Sequence, residues 1–121
     1  MKIGIDFDNT IACYDTSFRE VAMEEEIIDR NWEGKGKTEL RDHLRRQPNG
    51  EKTWMKLQGL VYGKHMHSAE MMSGVANFLM SCNMRKHKVF IVSHKTEYGH
   101  FDLEKISLRH EALKWMETKL F

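Results

Sequence analysis

Residues 3–12 read Ile-Gly-Ile-Asp-Phe-Asp-Asn-Thr-Ile-Ala, a short apolar run that ends in two carboxylates and a hydroxyl. Side chains alternate faces along a strand, so Asp6 and Asp8 share a side if the strand geometry continues that far. Two like charges this close repel each other, a cost tolerated mainly where a cation or a phosphoryl group uses them. Ligands of open α/β sheets bind beyond the carboxyl ends of the strands. The stretch predicts a ligand site containing Asp6, Asp8 and Thr10, with a polar turn as the alternative.

A second apolar run predicts the partner of this strand. Residues 89–93, Val-Phe-Ile-Val-Ser, are rich in β-branched side chains and predict a buried parallel strand closed by Ser93. The segment Ser73-Gly74-Val75 predicts the start of the helix before it. After Ser93, His94 and Lys95 begin a polar loop whose side chains can offer charge or hydrogen bonds to a phosphate. For Lys95 a solvated connection is an equal alternative.

The two strand ends together resemble motifs I and II of the haloacid dehalogenase (HAD) superfamily. The resemblance rests on the spacing Asp-x-Asp-x-Thr after an N-terminal strand and on a hydrophobic strand closed by a hydroxyl residue. It implies an α/β fold with a HAD-like (Rossmann-like) parallel sheet, flanking helices and a small helical cap insert. It also implies that Asp6 is the nucleophile and a magnesium ligand, and that Asp8 is the general acid and base whose backbone carbonyl reaches the metal. Thr10, Ser93 and His94 are the predicted phosphate-binding residues.

Within that family, the presence of Asp8 indicates a phosphatase or phosphotransferase, because dehalogenating members lack the second aspartate. A carboxylate can form an aspartyl-phosphate, and a second carboxylic acid can cycle the proton of the leaving group. Magnesium prefers hard oxygen ligands of this kind. We therefore expect Mg²⁺-dependent hydrolysis of a small phosphorylated molecule, a phosphate monoester, through an aspartyl-phosphate on Asp6. The alternative is a catalytically silent phosphate- and metal-binding or regulatory module.

The resemblance extends over the front half of a HAD domain. The lysine of motif III and the acidic pair of motif IV have no match after Ser93. Three explanations are open: a fragment or truncated form, a short natural member that recruits the missing groups from elsewhere, for example from a second chain, or phosphate and metal binding without turnover. We favour the first. A two-stranded parallel sheet needs more cover than this chain offers, so we also expect another copy to complete the sheet.

Composition and charge exclude other classes of protein. The chain has 121 residues and a formal net charge of +1, so no overall field attracts nucleic acid or a membrane. The basic stretch at 84–88 is typical of a solvated helix end. Two cysteines form no disulfide framework, and no signal peptide or membrane-spanning stretch is visible. These features favour a cytoplasmic setting, with neither nucleic acid nor membrane as partner.

The predicted organisation is one HAD-like core with an insert. Residues 1–13 and 69–121 form the core, and residues 14–68 form the helical cap. In the insert we expect a helix from Asp15-Thr16-Ser17 through Ile28, a short one capped by Thr38, and a third from Trp54 to Tyr62. The glycine-flanked Lys35 and Lys37 predict an exposed turn. A last helix from Leu103 or Glu104 through Lys119 is expected to pack on the sheet.

Overall fold

The computed structural model describes residues 1–99 and 104–119, which adopt a mixed α/β fold. These ranges contain five α-helices and two small two-stranded sheets, and none of the helices in them has the length and apolar character needed to cross a membrane. The elements in chain order are β1 Lys2–Asp6, β2 Ala12–Cys13, α1 Asp15–Glu24, α2 Gly36–Arg45, α3 Gly50–Tyr62, a 3-10 turn Met66–Ser68, β3 Glu70–Met71, α4 Val75–Met84, β4 Lys88–Val92 and α5 Leu108–Lys119.

The two apolar runs of the sequence pair with each other. β1 and β4 are parallel neighbours, in a register that runs from Lys2 opposite Lys88 to Asp6 opposite Val92. β2 and β3 form a separate, short antiparallel pair. The predicted parallel pairing is confirmed, and the carboxyl ends of β1 and β4 lie side by side.

One face of the parallel pair is open to solvent. Phe90 is 51% exposed and Val92 is 48% exposed, and Gly4 lies opposite Phe90 on the same face. We refer to Gly4, Phe90 and Val92 as the open face. The prediction of a buried strand at 89–93 is therefore wrong for this face, because α4 packs on the side that carries Val89 and Ile91. That a second copy completes the sheet stays a prediction.

The Asp15 side chain, which the sequence predicts as a cap of α1, instead connects α1 to α2. α1 begins at Asp15, but the Asp15 side chain does not cap its own helix. Its Oδ1 instead accepts a hydrogen bond of 3.0 Å from the N–H of Lys37, in the first turn of α2. With that N–H satisfied, α2 begins at Gly36. The predicted cap Thr38 lies inside the helix.

Helix α1 also ends earlier than predicted. It stops at Glu24, whereas the apolar pattern extended it through Ile28. Glu26 adopts the left-handed conformation, with φ of 57°, which breaks the helical repeat. The N–H groups of Ile27 and Ile28 both then turn back to the carbonyl of Ala22. The two isoleucines thus pack against the core from a turn.

Helix α4 begins where the sequence predicts. Gly74 precedes it with φ of 87°, a conformation that glycine adopts without steric cost, and the helix starts at Val75. The helix carries exposed apolar side chains, since Phe78 is 45% and Met80 is 62% accessible.

Helix α5 begins at Leu108, later than the predicted start at Leu103 or Glu104. Leu103 lies outside the described residues, and Glu104 belongs to a turn. The main contacts of α5 are with α3 and the 3-10 turn, whereas we expected the sheet. The reason is Trp115, which is 3% exposed and donates a 2.9 Å hydrogen bond from Nε1 to the carbonyl of Ala69.

Aromatic side chains link the insert to the strand ends. Phe18 of α1 stacks on Trp54 of α3 with ring centroids 5.0 Å apart. Phe7, just after β1, meets Trp115 of α5 edge-on at 5.6 Å. All four rings belong to one continuous core, with exposures of 3% or less. Residues of the predicted insert and of α5 therefore share one core with Phe7, which follows β1.

Candidate active site

The carboxyl ends of the parallel strands present two polar side chains. Asp6 is the last residue of β1, and Ser93 follows the last residue of β4, whose partner in the register is Asp6. Both are exposed. The Asp6 carboxylate accepts a 2.9 Å hydrogen bond from the N–H of Phe7. The fold thus brings the ends of the two sequence motifs to one edge.

The chain turns sharply after β1 around a single carbonyl. The oxygen of Phe7 accepts the N–H groups of Thr10, Ile11 and Ala12 at 3.3, 2.9 and 3.1 Å. Asn9 takes the left-handed conformation with φ of 63°, which asparagine tolerates better than most residues. Thr10 therefore closes the loop through its backbone, and its side chain is exposed. Phe7 is buried, and Asp6 and Asp8 directly precede and follow it in the chain.

Asp8 lies at the centre of a network of side chains. Its Oδ1 accepts the hydroxyl hydrogen of Tyr14 at 2.5 Å and forms an ion pair of 3.0 Å with the Lys95 ammonium. The Asp8 side chain is 31% exposed, and that of Lys95 is 3% exposed. The Lys95 Nζ has no other polar partner among the described residues. A buried ammonium thus depends on one carboxylate for its counter-charge.

Aromatic rings surround the Lys95 ammonium. Its Nζ lies 4.2 Å from the ring centroid of Tyr62, 5.5 Å from that of Tyr14 and 5.7 Å from that of Phe7. Such cation–π contacts compensate part of the lost hydration. Burial nevertheless lowers the pKa of Lys95, with the Asp8 charge opposing that shift. Burial and the nearby Asp8 charge raise the pKa of both tyrosines.

A second lysine reaches the same cluster from the insert. Lys37 of α2 donates a 2.8 Å hydrogen bond from Nζ to the hydroxyl of Tyr62, and its Nζ lies 5.4 Å from the centroid of Phe18. Burial lowers the pKa of Lys37; Asp8 raises it and Lys95 lowers it. We refer to Asp8, Tyr14, Tyr62, Lys37 and Lys95 as the Asp8 cluster.

A cleft gives solvent a path to the end of β4. It has a volume of about 350 Å³ and is lined by Ser93, Lys95 and Arg109 together with apolar side chains of β4 and α5. Arg109 donates a 3.1 Å hydrogen bond from Nε to the carbonyl of Lys95. The loop after β4 is thereby tied to α5, which fixes the direction from which Lys95 enters the core.

The structure separates the predicted site residues into two groups. Asp8 is held in a network, whereas Asp6, Thr10, Ser93 and His94 are exposed near the strand ends. His94 is exposed in the loop after Ser93, and its role in phosphate binding stays a prediction. The alternative of a solvated connection is wrong for Lys95, which is 9% exposed and paired with Asp8.

Sequence reasoning missed Tyr14, Tyr62 and Lys37 as members of the site. The prediction of an exposed turn is wrong for Lys37, which is half-buried in the first turn of α2. A signal was available, since Lys37 is three and seven residues before Leu40 and Leu44 and therefore shares their buried face. No comparable local pattern marks the tyrosines, which reach Asp8 from different elements.

The donors at the strand ends offer two atoms to a magnesium ion. The Asp8 carboxylate is engaged by Lys95 and Tyr14, which leaves its backbone carbonyl as the predicted ligand beside the Asp6 carboxylate. Within residues 1–99 and 104–119, no three His, Cys, Asp or Glu side chains are grouped to hold a metal. Magnesium is often held by one or two carboxylates together with substrate oxygens, so these donors fit an ion that a phosphate helps to bind.

Comparisons with protein-family models, curated proteins and solved structures found no match to this chain. The chemistry of the site is therefore argued from its residues and their geometry. An exposed carboxylate and hydroxyl lie at neighbouring strand ends, and a charged, aromatic-lined cluster lies next to them. This arrangement suits a small anion that needs both hydrogen-bond donors and positive charge.

Proposed function

We propose that this chain carries the active site of a HAD-like phosphate monoester hydrolase in which Asp6 is the nucleophile. The observation that supports this most is the parallel register that sets Asp6 beside Val92, with Ser93 one residue beyond. Ligands of α/β sheets bind at such an edge. The proposed substrate is a small phosphorylated molecule, and residues 14–68 are proposed to act as the cap that excludes water from it.

In the first proposed step, a carboxylate oxygen of Asp6 attacks phosphorus. The bond from phosphorus to the leaving-group oxygen breaks, which gives an aspartyl-phosphate and an alcohol. In the second step, water attacks the phosphorus of this intermediate and the bond from phosphorus to the Asp6 oxygen breaks, which gives inorganic phosphate and the free Asp6 carboxylate. Thr10, Ser93 and His94 are the proposed donors to the phosphoryl oxygens, where negative charge accumulates in the transition state.

Asp8 is the proposed general acid of the first step and general base of the second. Its carboxylate lies between two groups that carry a proton, the Tyr14 hydroxyl and the Lys95 ammonium. Because burial lowers the pKa of Lys95, this ammonium releases a proton more readily than an exposed lysine does. In this scheme Lys95 holds the proton that Asp8 passes to the leaving oxygen.

Mg²⁺ is the proposed cofactor, held by the Asp6 carboxylate, the Asp8 carbonyl and oxygens of the substrate. When bound, it offsets negative charge on the phosphoryl group. Asp6 and Ser93 orient the phosphoryl group, and Asp8 handles the proton of the leaving group.

A second candidate function is phosphate binding without turnover. It is favoured by the engagement of Asp8, whose carboxylate is already occupied by the Tyr14 hydroxyl and the Lys95 ammonium. The sequence also lacks a match to motifs III and IV. In this case the same strand ends bind the anion, and the chain acts as a regulatory module.

The experiment is an assay of the purified chain on an aryl phosphate, with Mg²⁺ and with chelator. Asp6→Asn removes the nucleophile and is expected to lower turnover by about a thousandfold or more. Asp29→Asn is the matched control, since Asp29 is exposed and remote in sequence from either motif. Its turnover is expected to equal that of the unsubstituted chain.

Full turnover in Asp6→Asn would contradict the proposed mechanism. Turnover that persists in chelator would remove Mg²⁺ from the proposal and leave Asp6 in it. A folded chain that binds phosphate but shows no turnover would support the second candidate.

A further inference from the structure

Lys37 occupies a position that neither its own helix nor the core requires to be charged. It lies on the buried face of α2, where its stem packs on aromatic rings and its Nζ bonds the hydroxyl of Tyr62. A phenol accepts that hydrogen bond but supplies no negative charge. Burying an ammonium without a full counter-charge is costly, so an apolar residue at this position would pack at less expense.

The Lys37 ammonium has no ion-pair partner among the described residues, and its hydrogen bond goes to the Tyr62 hydroxyl. Two carboxylates act on it electrostatically, those of Asp8 and Asp15. Asp8 is already the counter-charge of Lys95 at 3.0 Å, and Asp15 accepts a backbone N–H of Lys37. The ammonium can therefore still take an external anion as its counter-charge.

Tyr62 contacts both lysines. Its hydroxyl accepts a hydrogen bond from the Lys37 ammonium, and its ring centroid lies 4.2 Å from the Lys95 ammonium. Lys95 lies on the Asp8 side, close to the strand end, whereas Lys37 lies on the insert side. An anion held by Lys37 is thus a different group from the phosphoryl group at the strand ends.

We propose that Lys37 is a specificity-determining residue that binds a second anionic group, a carboxylate or phosphate, on the leaving-group side of the substrate. This inference rests on the proposed function, because it assumes that the strand ends bind the phosphoryl group. Lys37 on α2 and Tyr62 on α3 both belong to the insert, so their ligand is contacted from the predicted cap. The preferred substrates are then phosphorylated acids or bisphosphates.

The test compares two probes of similar size, of which one carries an additional carboxylate. Glycerol 3-phosphate and 3-phosphoglycerate are titrated calorimetrically into the Asp6→Asn chain with Mg²⁺, so that no turnover is needed. A charge-assisted contact to Lys37 is expected to make 3-phosphoglycerate bind about tenfold more tightly. Adding Lys37→Met is expected to remove that preference, and Lys37→Arg to keep it.

Lys35→Met is the matched control, because Lys35 is exposed two residues away. It is expected to keep the preference. Equal binding of the two probes would overturn the role of Lys37 while leaving the phosphate site in place. A preference that survives Lys37→Met would overturn it as well. Binding of neither probe would overturn the proposed phosphate site, and the role of Lys37 with it.

Discussion

The Asp8 cluster and the open face both contain aromatic side chains, but these are enclosed in the first region and exposed in the second. In the first, aromatic side chains are packed around two ammonium groups, and the Lys95 side chain is 3% exposed. On the second, Phe90 is 51% exposed although it lies in the middle of a strand. The first region is enclosed by helices of the insert and by α5, whereas the described residues place no element over the second. In this protein the residues around Asp8 are buried by helices that pack over them, whereas pairing in the sheet alone leaves Phe90 exposed.

This difference divides the proposed chemistry between two environments. Asp8 is paired where surrounding rings exclude much of the water, and electrostatic interactions are stronger there than in solvent. Asp6 ends a strand whose surroundings are exposed. Asp8, the proposed acid and base, is therefore held in place by its partners, while Asp6, the proposed nucleophile, is accessible to a ligand.

The largest effect expected from the comparison concerns stability. Phe7→Ala removes a fully buried ring that packs edge-on against Trp115, so we expect the free energy of unfolding to fall by about 3–5 kcal/mol. Phe90→Ala makes the same chemical change on the open face and is expected to cost less than about 1 kcal/mol. Urea unfolding followed by tryptophan fluorescence measures both.

A cost for Phe90→Ala equal to that for Phe7→Ala would mean that the open face is covered in solution. Such a result would fit the prediction that a second copy completes the sheet. Light scattering on the same samples separates that case from a monomer.

A smaller effect is expected for the coupling between Asp8 and Lys95. A double-mutant cycle with Asp8→Asn and Lys95→Met is expected to give an interaction energy of about 1–3 kcal/mol, because Lys95 is nearly enclosed. The surface pair of Arg45 and Glu51 is the control, with side chains 45% and 57% exposed. A cycle with Arg45→Met and Glu51→Gln is expected to give a clearly smaller interaction energy, because solvent screens this exposed pair. Equal values for the two pairs would contradict the enclosed character of the Asp8 cluster.

The sequence predicts the strands and their pairing better than it predicts burial. β1 and β4 follow from apolar runs, and their parallel order follows from the helical segment, α1 to α4, that connects them. The exposure of Phe90 does not follow, because an apolar run records what a residue is able to pack against and not whether a partner is present. The end of α1 was missed for a related reason: Glu26 turns the backbone left-handed within a pattern that suits a helix.

The candidate site was predictable only where it is local in sequence. Asp6, Asp8 and Thr10 lie within five residues, and Ser93 ends the other strand, so a spacing reveals them. Tertiary packing of α1, α3 and the loop after β4 brings Tyr14, Tyr62 and Lys95 to Asp8. No spacing links those elements. The resemblance to a motif therefore indicated the edge of the sheet but not the charged side chains of the Asp8 cluster beside it.

The smallest expected effect is a pH-dependent one at Tyr14. Its hydroxyl bonds Asp8, so Tyr14→Phe is expected to lower the free energy of unfolding by about 1–2 kcal/mol near neutral pH. Burial, with the Asp8 charge, raises the pKa of Tyr14 in the folded chain above its ordinary value of 10.0. Above that pH the unfolded chain releases the phenol proton while the folded chain keeps it, so the Tyr14 contribution falls as pH rises.

The difference in the free energy of unfolding between the unsubstituted chain and Tyr14→Phe is therefore expected to be largest below pH 10.0 and to become smaller above it. Urea unfolding at neutral pH and again above that value measures the change. Tyr98→Phe is the control, because the Tyr98 side chain is 45% exposed, and it is expected to alter stability at neutral pH by less than about 0.5 kcal/mol. A difference for Tyr14→Phe that stays constant across this range would show that the folded and unfolded chains bind the phenol proton equally. The Asp8 cluster would then be as open to water as the face beside Phe90.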